Sequence, residues 1–69
     1  MRISIYGLDP HYMDAVLEMG GTCYEHDGVV DVKFIDCVDI MTDGTCINLT
    51  SASVGMVLSY DEFFSISID

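Results

Sequence analysis

The first residues alternate. Ile3 and Ile5 point one way and Ser4 the other, a period of two that predicts a strand over Arg2 to Tyr6. Gly7-Leu8 turns the chain. Asp9-Pro10 then reads as a helix start, because an aspartate can cap free amides and proline suits the first helical position. The spacing predicts a helix from Pro10 to Met19 that stops at Gly20-Gly21. Its apolar stripe is Tyr12, Met13, Val16, Leu17 and Met19, with His11, Asp14, Ala15 and Glu18 toward the other side.

Beyond residue 21 the period returns to two. Asp27-Gly28 and Asp43-Gly44 are hairpin signals. Between them Val30, Val32, Phe34, Val38 and Ile40 share one parity, interrupted by Asp36. That pattern fits one long bent strand or two strands meeting there. A hairpin closed at Asp27-Gly28 sets Cys23 beside Val32. A two-residue turn at Asp43-Gly44 sets Ile40 opposite Ile47 and Val38 opposite Leu49, both apolar pairs. Val54, Met56, Leu58 and Tyr60 alternate again, as do Phe64, Ile66 and Ile68, with a turn at Tyr60-Asp61-Glu62. A short helix over residues 53–62 is the alternative there.

These elements assemble into an α+β fold in one domain, residues 1–69. It has one N-terminal β-strand, one α-helix, and a mostly antiparallel sheet of four or five strands built from hairpins. The helix is expected over the face of Val30, Val32, Phe34, Val38, Ile40, Ile47 and Leu49. The opposite face mixes Asp31, Lys33, Asp39 and Asn48 with Val29, Ile35, Cys37 and Met41. It is too apolar for an ordinary solvated face, so closure into a small barrel is expected, ahead of cover by a second copy or a partner.

Composition narrows the function. A chain of 69 residues has room for one core, and 51% hydrophobic content argues against disorder. Twelve acids face two bases, Arg2 and Lys33, for a net charge of −10. On a surface of about 4,300 Å², that is roughly one excess negative charge per 430 Å². Such a surface excludes DNA recognition by a basic face and attachment to anionic membranes. Three cysteines without an apolar leader at Met1–Tyr6 fit an intracellular protein with reduced thiols. Asn48-Leu49-Thr50 matches a glycosylation sequon, which has no use in that compartment.

Candidate chemistry is sparse. Cys23-Tyr24-Glu25-His26 offers a Cys-x-x-His pair, and His11, Cys37 and Cys46 could complete four zinc ligands, but no second close pair matches the first. Asp36, Asp39 and Asp43 lack the alternate spacing and central glycine of a calcium loop. His11 and Asp14 are within reach on one helix, yet no nucleophile elbow, phosphate loop or dinucleotide fingerprint accompanies them. No cofactor and no enzymatic activity are expected. A weak metal-binding acidic domain and a self-associating structural or assembly protein are the alternatives to the reading that follows.

The acids recur in every element, and Asp14 and Glu18 form an i,i+4 like-charge pair that weakens its own helix. A sequence that accepts self-repulsion this consistently points to a cationic partner, whose lysines and arginines would meet carboxylates in place of phosphates. Asp14, Glu18, Asp31, Asp39 and Asp43 are the expected contact residues, with Tyr6, Tyr12, Tyr24 and Met41 as apolar anchors. In its size, acidity and lack of catalytic motifs, the chain resembles the small phage-encoded inhibitors of host defence nucleases, of the anti-CRISPR and anti-restriction type. The resemblance implies a stoichiometric inhibitor in the host cytoplasm. Its partner would be a basic nucleic-acid-binding protein or nuclease complex, without direct nucleic-acid or membrane binding. A homodimer is compatible with that role.

Overall fold

The computed structural model describes residues 2–35, 39–51 and 54–68, and for residue 39 the backbone alone. Among these residues the chain forms seven strands and one short helix. The strands are β1 (Ile3–Leu8), β2 (Thr22–His26), β3 (Val29–Phe34), β4 (Asp39–Thr42), β5 (Cys46–Ser51), β6 (Val54–Ser59) and β7 (Ser65–Ile68). A 3-10 turn (Pro10–Tyr12) leads into α1 (Met13–Glu18). The strands make two antiparallel sheets, in the orders β2-β3-β1-β7 and β4-β5-β6. The α+β class and the antiparallel hairpins are as expected. The barrel is not: the described strands divide into two open sheets, and no closed barrel forms.

The interrupted run is two strands in different sheets, since β3 ends at Phe34 and β4 begins at Asp39. Val38, Asp36 and Cys37, on which part of the expected pattern rested, lie outside the described residues. Both sheets turn their apolar parity inward onto one core. Ile3, Ile5, Leu8, Val30, Val32 and Phe34 come from the first sheet, and Ile47, Leu49, Met56 and Leu58 from the second. Val16 and Met19 of the helical segment join them, as does Phe63. Burial of this set is the main stabilising term, at about 1.5–3 kcal/mol per large apolar side chain. The exposed area is 4353 Å².

β1 is one of the two inner strands of the first sheet, and it carries a bulge. Its pairing with β3 runs Ile3 to Phe34 and Ile5 to Val32, then slips so that Leu8 meets Val30. The extra residue at Tyr6-Gly7 flips the parity, so that Leu8 is buried alongside Ile3 and Ile5. Gly7 adopts φ 69°, a left-handed conformation that favours glycine. A methyl group there would also stand 2.8 Å from Phe64 Cβ.

The helix is shorter than its sequence pattern. Asp9 caps the 3-10 turn by accepting from His11 N at 3.0 Å, with Pro10 first in the turn. α1 stops in a Schellman motif, with Gly20 N donating to Leu17 O (3.0 Å) and Gly21 N to Val16 O (2.9 Å). Val16 is buried, while Tyr12, Met13 and Ala15 pack on the core's margin. Leu17, expected inward, is 55% exposed, because a stripe through residues 12, 15, 16 and 19 leaves it facing away from the core.

The first hairpin closes as read from sequence, with Cys23 opposite Val32 and His26 opposite Val29. Asp27 (φ 50°) and Gly28 (φ 78°) supply the two positive angles of its two-residue turn. The second hairpin differs from the expected register. Ile40 pairs with Leu49 and Thr42 with Ile47, so the turn centres on Gly44-Thr45. The cause is the Asp43 carboxylate. It accepts from Thr45 N (2.9 Å), Thr45 Oγ1 (2.8 Å) and Cys46 N (3.0 Å), fixing Asp43 at the corner before the turn. The shift is even, so the same faces stay inward. Residues 54–59 are strand rather than the alternative helix, paired along β5 from Cys46–Ser59 to Ser51–Val54.

Candidate functional site: an acid-lined groove

Of the five acids expected to contact a partner, the four whose side chains are described are spread over α1, β3 and the β4–β5 turn. Asp14 and Glu18 are exposed, one turn apart on α1. Asp31 lies on the opposite face of the first sheet, since its neighbours Val30 and Val32 point into the core. It accepts from Gly7 N (3.1 Å) and meets His26 Nε2 at 3.0 Å, which ties the β1 bulge to the β2–β3 hairpin. The Gly7 amide, and then the His26 partner, hold its carboxyl below the ordinary carboxylate value. The same hydrogen bond raises His26 above the ordinary histidine value, with Asp27 adding to it. Asp43 is committed to its turn. Amide and hydroxyl donors from Thr45, then the Cys46 amide, lower it to about 2. Asp39 opens β4 and pairs with Thr50, and its side chain is outside the described residues. Among the four described side chains, Asp14 and Glu18 are the pair that shares one element.

A different group of carboxylates does converge. An open groove of about 750 Å³ is bordered by Gly7, Asp9 and Pro10 after the bulge and by Gly28 and Val29 of the hairpin. The β6–β7 turn completes it with Asp61, Glu62, Phe63 and Phe64. Three backbone or cap contacts assemble it. Asp9 N donates to Glu62 O (3.0 Å), Phe64 N to Tyr6 O (2.8 Å), and Ser59 N to Glu62 Oε1 (2.9 Å). Ser59 Oγ lies 2.5 Å from Asp61 Oδ1 and 2.6 Å from Glu62 Oε1, which gathers both carboxylates at one turn. Asp9 is held ionised by the His11 amide and then by the His11 ring, whose Nδ1 is 2.7 Å away. His11, within reach of Asp14 by its spacing, meets Asp9 through the cap geometry. Asp27 stands next to Gly28 at the rim, with its side chain 97% exposed.

The groove has an aromatic edge. Phe64 is 87% exposed, held out because Gly7 lets the two strands approach beneath it. Phe63 is buried and packs against Tyr60, with ring centroids 5.9 Å apart. The two bases are elsewhere. Arg2 and Lys33 border a second, smaller groove with Ile3, Ser4, Phe34 and Ile35, at the opposite end of β1. From Arg2 to Asp9 along an extended strand is about 20 Å. That is more than twice the screening length of about 8 Å in physiological salt, and Lys33 is about 13 Å along β3 from Val29 at the rim, so both bases attenuate the field at the groove only weakly. An arrangement of this kind can attract and seat a cationic side chain against Phe64.

The Cys-x-x-His pair does not converge. Cys23 faces the core margin, where burial raises its thiol above the ordinary value, while His26 turns outward to Asp31. Among the described residues, no three His, Cys, Asp or Glu side chains stand close enough to hold a metal ion. Among the described residues, no helix is long and apolar enough to cross a membrane. The local sequence pattern reads Asp9 as a cap and Asp61-Glu62 as a turn, and the structure has both. What the pattern misses is the Asp9–Glu62 backbone bond that joins them, a contact across more than fifty residues that no local pattern encodes. Comparisons with protein-family models, with curated proteins and with solved structures found no match for the chain.

Proposed function

We propose that this protein is a non-enzymatic inhibitor that binds a basic nucleic-acid-binding protein or nuclease complex, in the manner of the anti-CRISPR type. In this reading its carboxylates occupy positions where the target grips phosphates. The observation that supports the reading is the segregation of charge along β1. Asp9, Asp61 and Glu62 line one groove beside an exposed phenylalanine, and both bases lie at the far end. The net charge of −10 steers a cationic target from a distance, and Phe64 adds apolar contact, since charge gives rate more than affinity. Asp14 and Glu18 on α1 widen the negative field without entering the groove.

The test is capture from a host lysate on the immobilised protein, followed by elution with short duplex DNA or RNA. A protein of basic, nucleic-acid-binding character that is released by polyanion supports mimicry. Retention of the target through polyanion challenge, with release only by detergent or denaturant, contradicts it.

Self-association is the second reading, and one feature favours it. On the outer face of the second sheet, Met41 (73% exposed) and Val57 (56%) flank Asn48 in a single cross-strand row. Light scattering that shows a mass rising with concentration would support an assembly role. A constant monomer mass removes it.

A further inference from the structure

Soluble proteins guard the edges of their sheets with charge, proline, bulges or a covering element. Three of the four edges here are treated this way. β2 carries Glu25 on the parity that faces inward, and α1 packs beside it. β4 begins with an aspartate, whereas β7, of the same length, holds no charged residue. β6 is also met by α1. The fourth, β7, is Ser65-Ile66-Ser67-Ile68, with no charge, no proline and, among the described residues, no strand on its outer side. It pairs along β1 through Ser65–Tyr6, Ile66–Ile5, Ser67–Ser4 and Ile68–Ile3. Alternate residues therefore turn their N–H and C=O groups away from the protein. The apolar row is also unfinished at this edge: Ile3 and Ile5 are buried, but Ile68 is 49% exposed.

β7 begins where the acid-lined groove ends. Phe63 and Phe64 line the groove and Ser65 follows directly. We propose that the free edge of β7 accepts an extended segment of a cationic partner as a fifth strand of the first sheet, with a basic side chain seated in the groove against Phe64. The inference rests on the groove reading above and adds the partner's form. The pattern of the segment follows from the pleat. Residues beside Ile66 and Ile68 are apolar, residues beside Ser65 and Ser67 are small and polar, and the base lies just past the end that meets Ser65. In antiparallel pairing, as throughout this sheet, that is the segment's C-terminal end. A second copy of this chain is a poor occupant, since it would bring another net charge of −10 to the same edge.

The probe is an alternating valine–threonine peptide ending in two arginines, titrated into the full-length protein. Amide exchange is followed by NMR. Slower exchange of the outward amides within Ser65–Ile68 is expected, together with shifts at Gly7 and Phe64. Methylating the peptide's backbone nitrogens at alternate positions should weaken binding by about tenfold in one phase and leave it within about twofold in the other, because only one phase faces β7. Equal affinity for both methylated peptides, or no added protection of Ser65–Ile68, overturns the edge inference. So does protection of that edge by concentration-dependent dimerisation without peptide.

A groove variant separates this inference from the reading it rests on. In Asp9→Asn/Asp61→Asn/Glu62→Gln the hydrogen-bond acceptors remain and three charges go. If this variant weakens peptide binding while backbone methylation has no effect, the groove reading stands and the edge falls. If methylation matters but the variant binds as tightly as the parent, the groove's part in the inference falls.

Discussion

Gly7→Ala tests the joint that builds the groove. Two costs apply. At φ 69° an alanine pays for the left-handed conformation, about 1–2 kcal/mol. Its methyl would also stand 2.8 Å from Phe64 Cβ, an atom that no rotamer change can move, on a strand pinned by the Phe64 N to Tyr6 O bond. The backbones of β1 and β7 must separate, an overpacking cost of about 1–3 kcal/mol. Together they remove about 2–5 kcal/mol from a domain of this length, whose whole stability is about 3–10 kcal/mol. Gly20→Ala is the control, with φ 86° and nothing within 4 Å of the added methyl. It carries the conformational cost alone, and the gain from a stiffer unfolded chain is common to both variants. Urea unfolding followed by circular dichroism should show Gly7→Ala less stable than Gly20→Ala by about 1–3 kcal/mol. Adding Phe64→Gly to Gly7→Ala should recover that excess, whereas Phe64→Ala, which keeps the Cβ, should not. Equal losses for the two alanine variants, or equal rescue by Phe64→Ala and Phe64→Gly, refute the close approach of β1 and β7.

Three further outcomes follow from the geometry. Leu49→Ala, fully buried in the second sheet, should cost about 2–5 kcal/mol, while Leu17→Ala, more than half exposed on α1, should cost less than about 1 kcal/mol; thermal melts decide, and similar losses would reverse the helix phase. His26 should titrate above the ordinary histidine value by NMR and fall back in Asp31→Asn. A raised folded pKa means that its stabilising effect is complete below the unfolded value of about 6.5 and is lost as pH rises through the folded value, so a pH series in which stability gains across that window contradicts the pairing. For Asp43 the sign is opposite: its folded value is depressed to about 2, so its contribution is present above the unfolded value of 3.8 and disappears as pH falls toward 2. An Asp43→Ala variant whose acid unfolding matches the parent would show that the turn does not depend on that carboxylate.

Much of the fold is legible in the chain because it is written locally. The parity of Val30, Val32 and Phe34 fixes a buried face, and Asp27-Gly28 fixes both a turn and its register. The misreadings have physical causes of two kinds. Some come from side chains that act on their own backbone. Asp43 moves the second turn by one residue through three hydrogen bonds. Others come from long-range geometry. The bulge at Tyr6-Gly7, the division into two sheets and the pairing of Asp9 with Glu62 all depend on partners far along the chain. The groove belongs to this second kind. Its acids were visible as acids, but their convergence depends on β7 lying beside β1, which neither strand's composition announces.

The most direct measurement is the salt dependence of affinity for a captured basic target, compared across three forms of the protein. The parent should lose affinity steadily as salt rises. Asp9→Asn/Asp61→Asn/Glu62→Gln should bind more weakly and with a visibly shallower slope, whereas Asp14→Asn/Glu18→Gln should keep most of both. Identical slopes for the parent and the groove variant would contradict the account, because the carboxylates gathered between β1 and β7 would then take no part in holding the target.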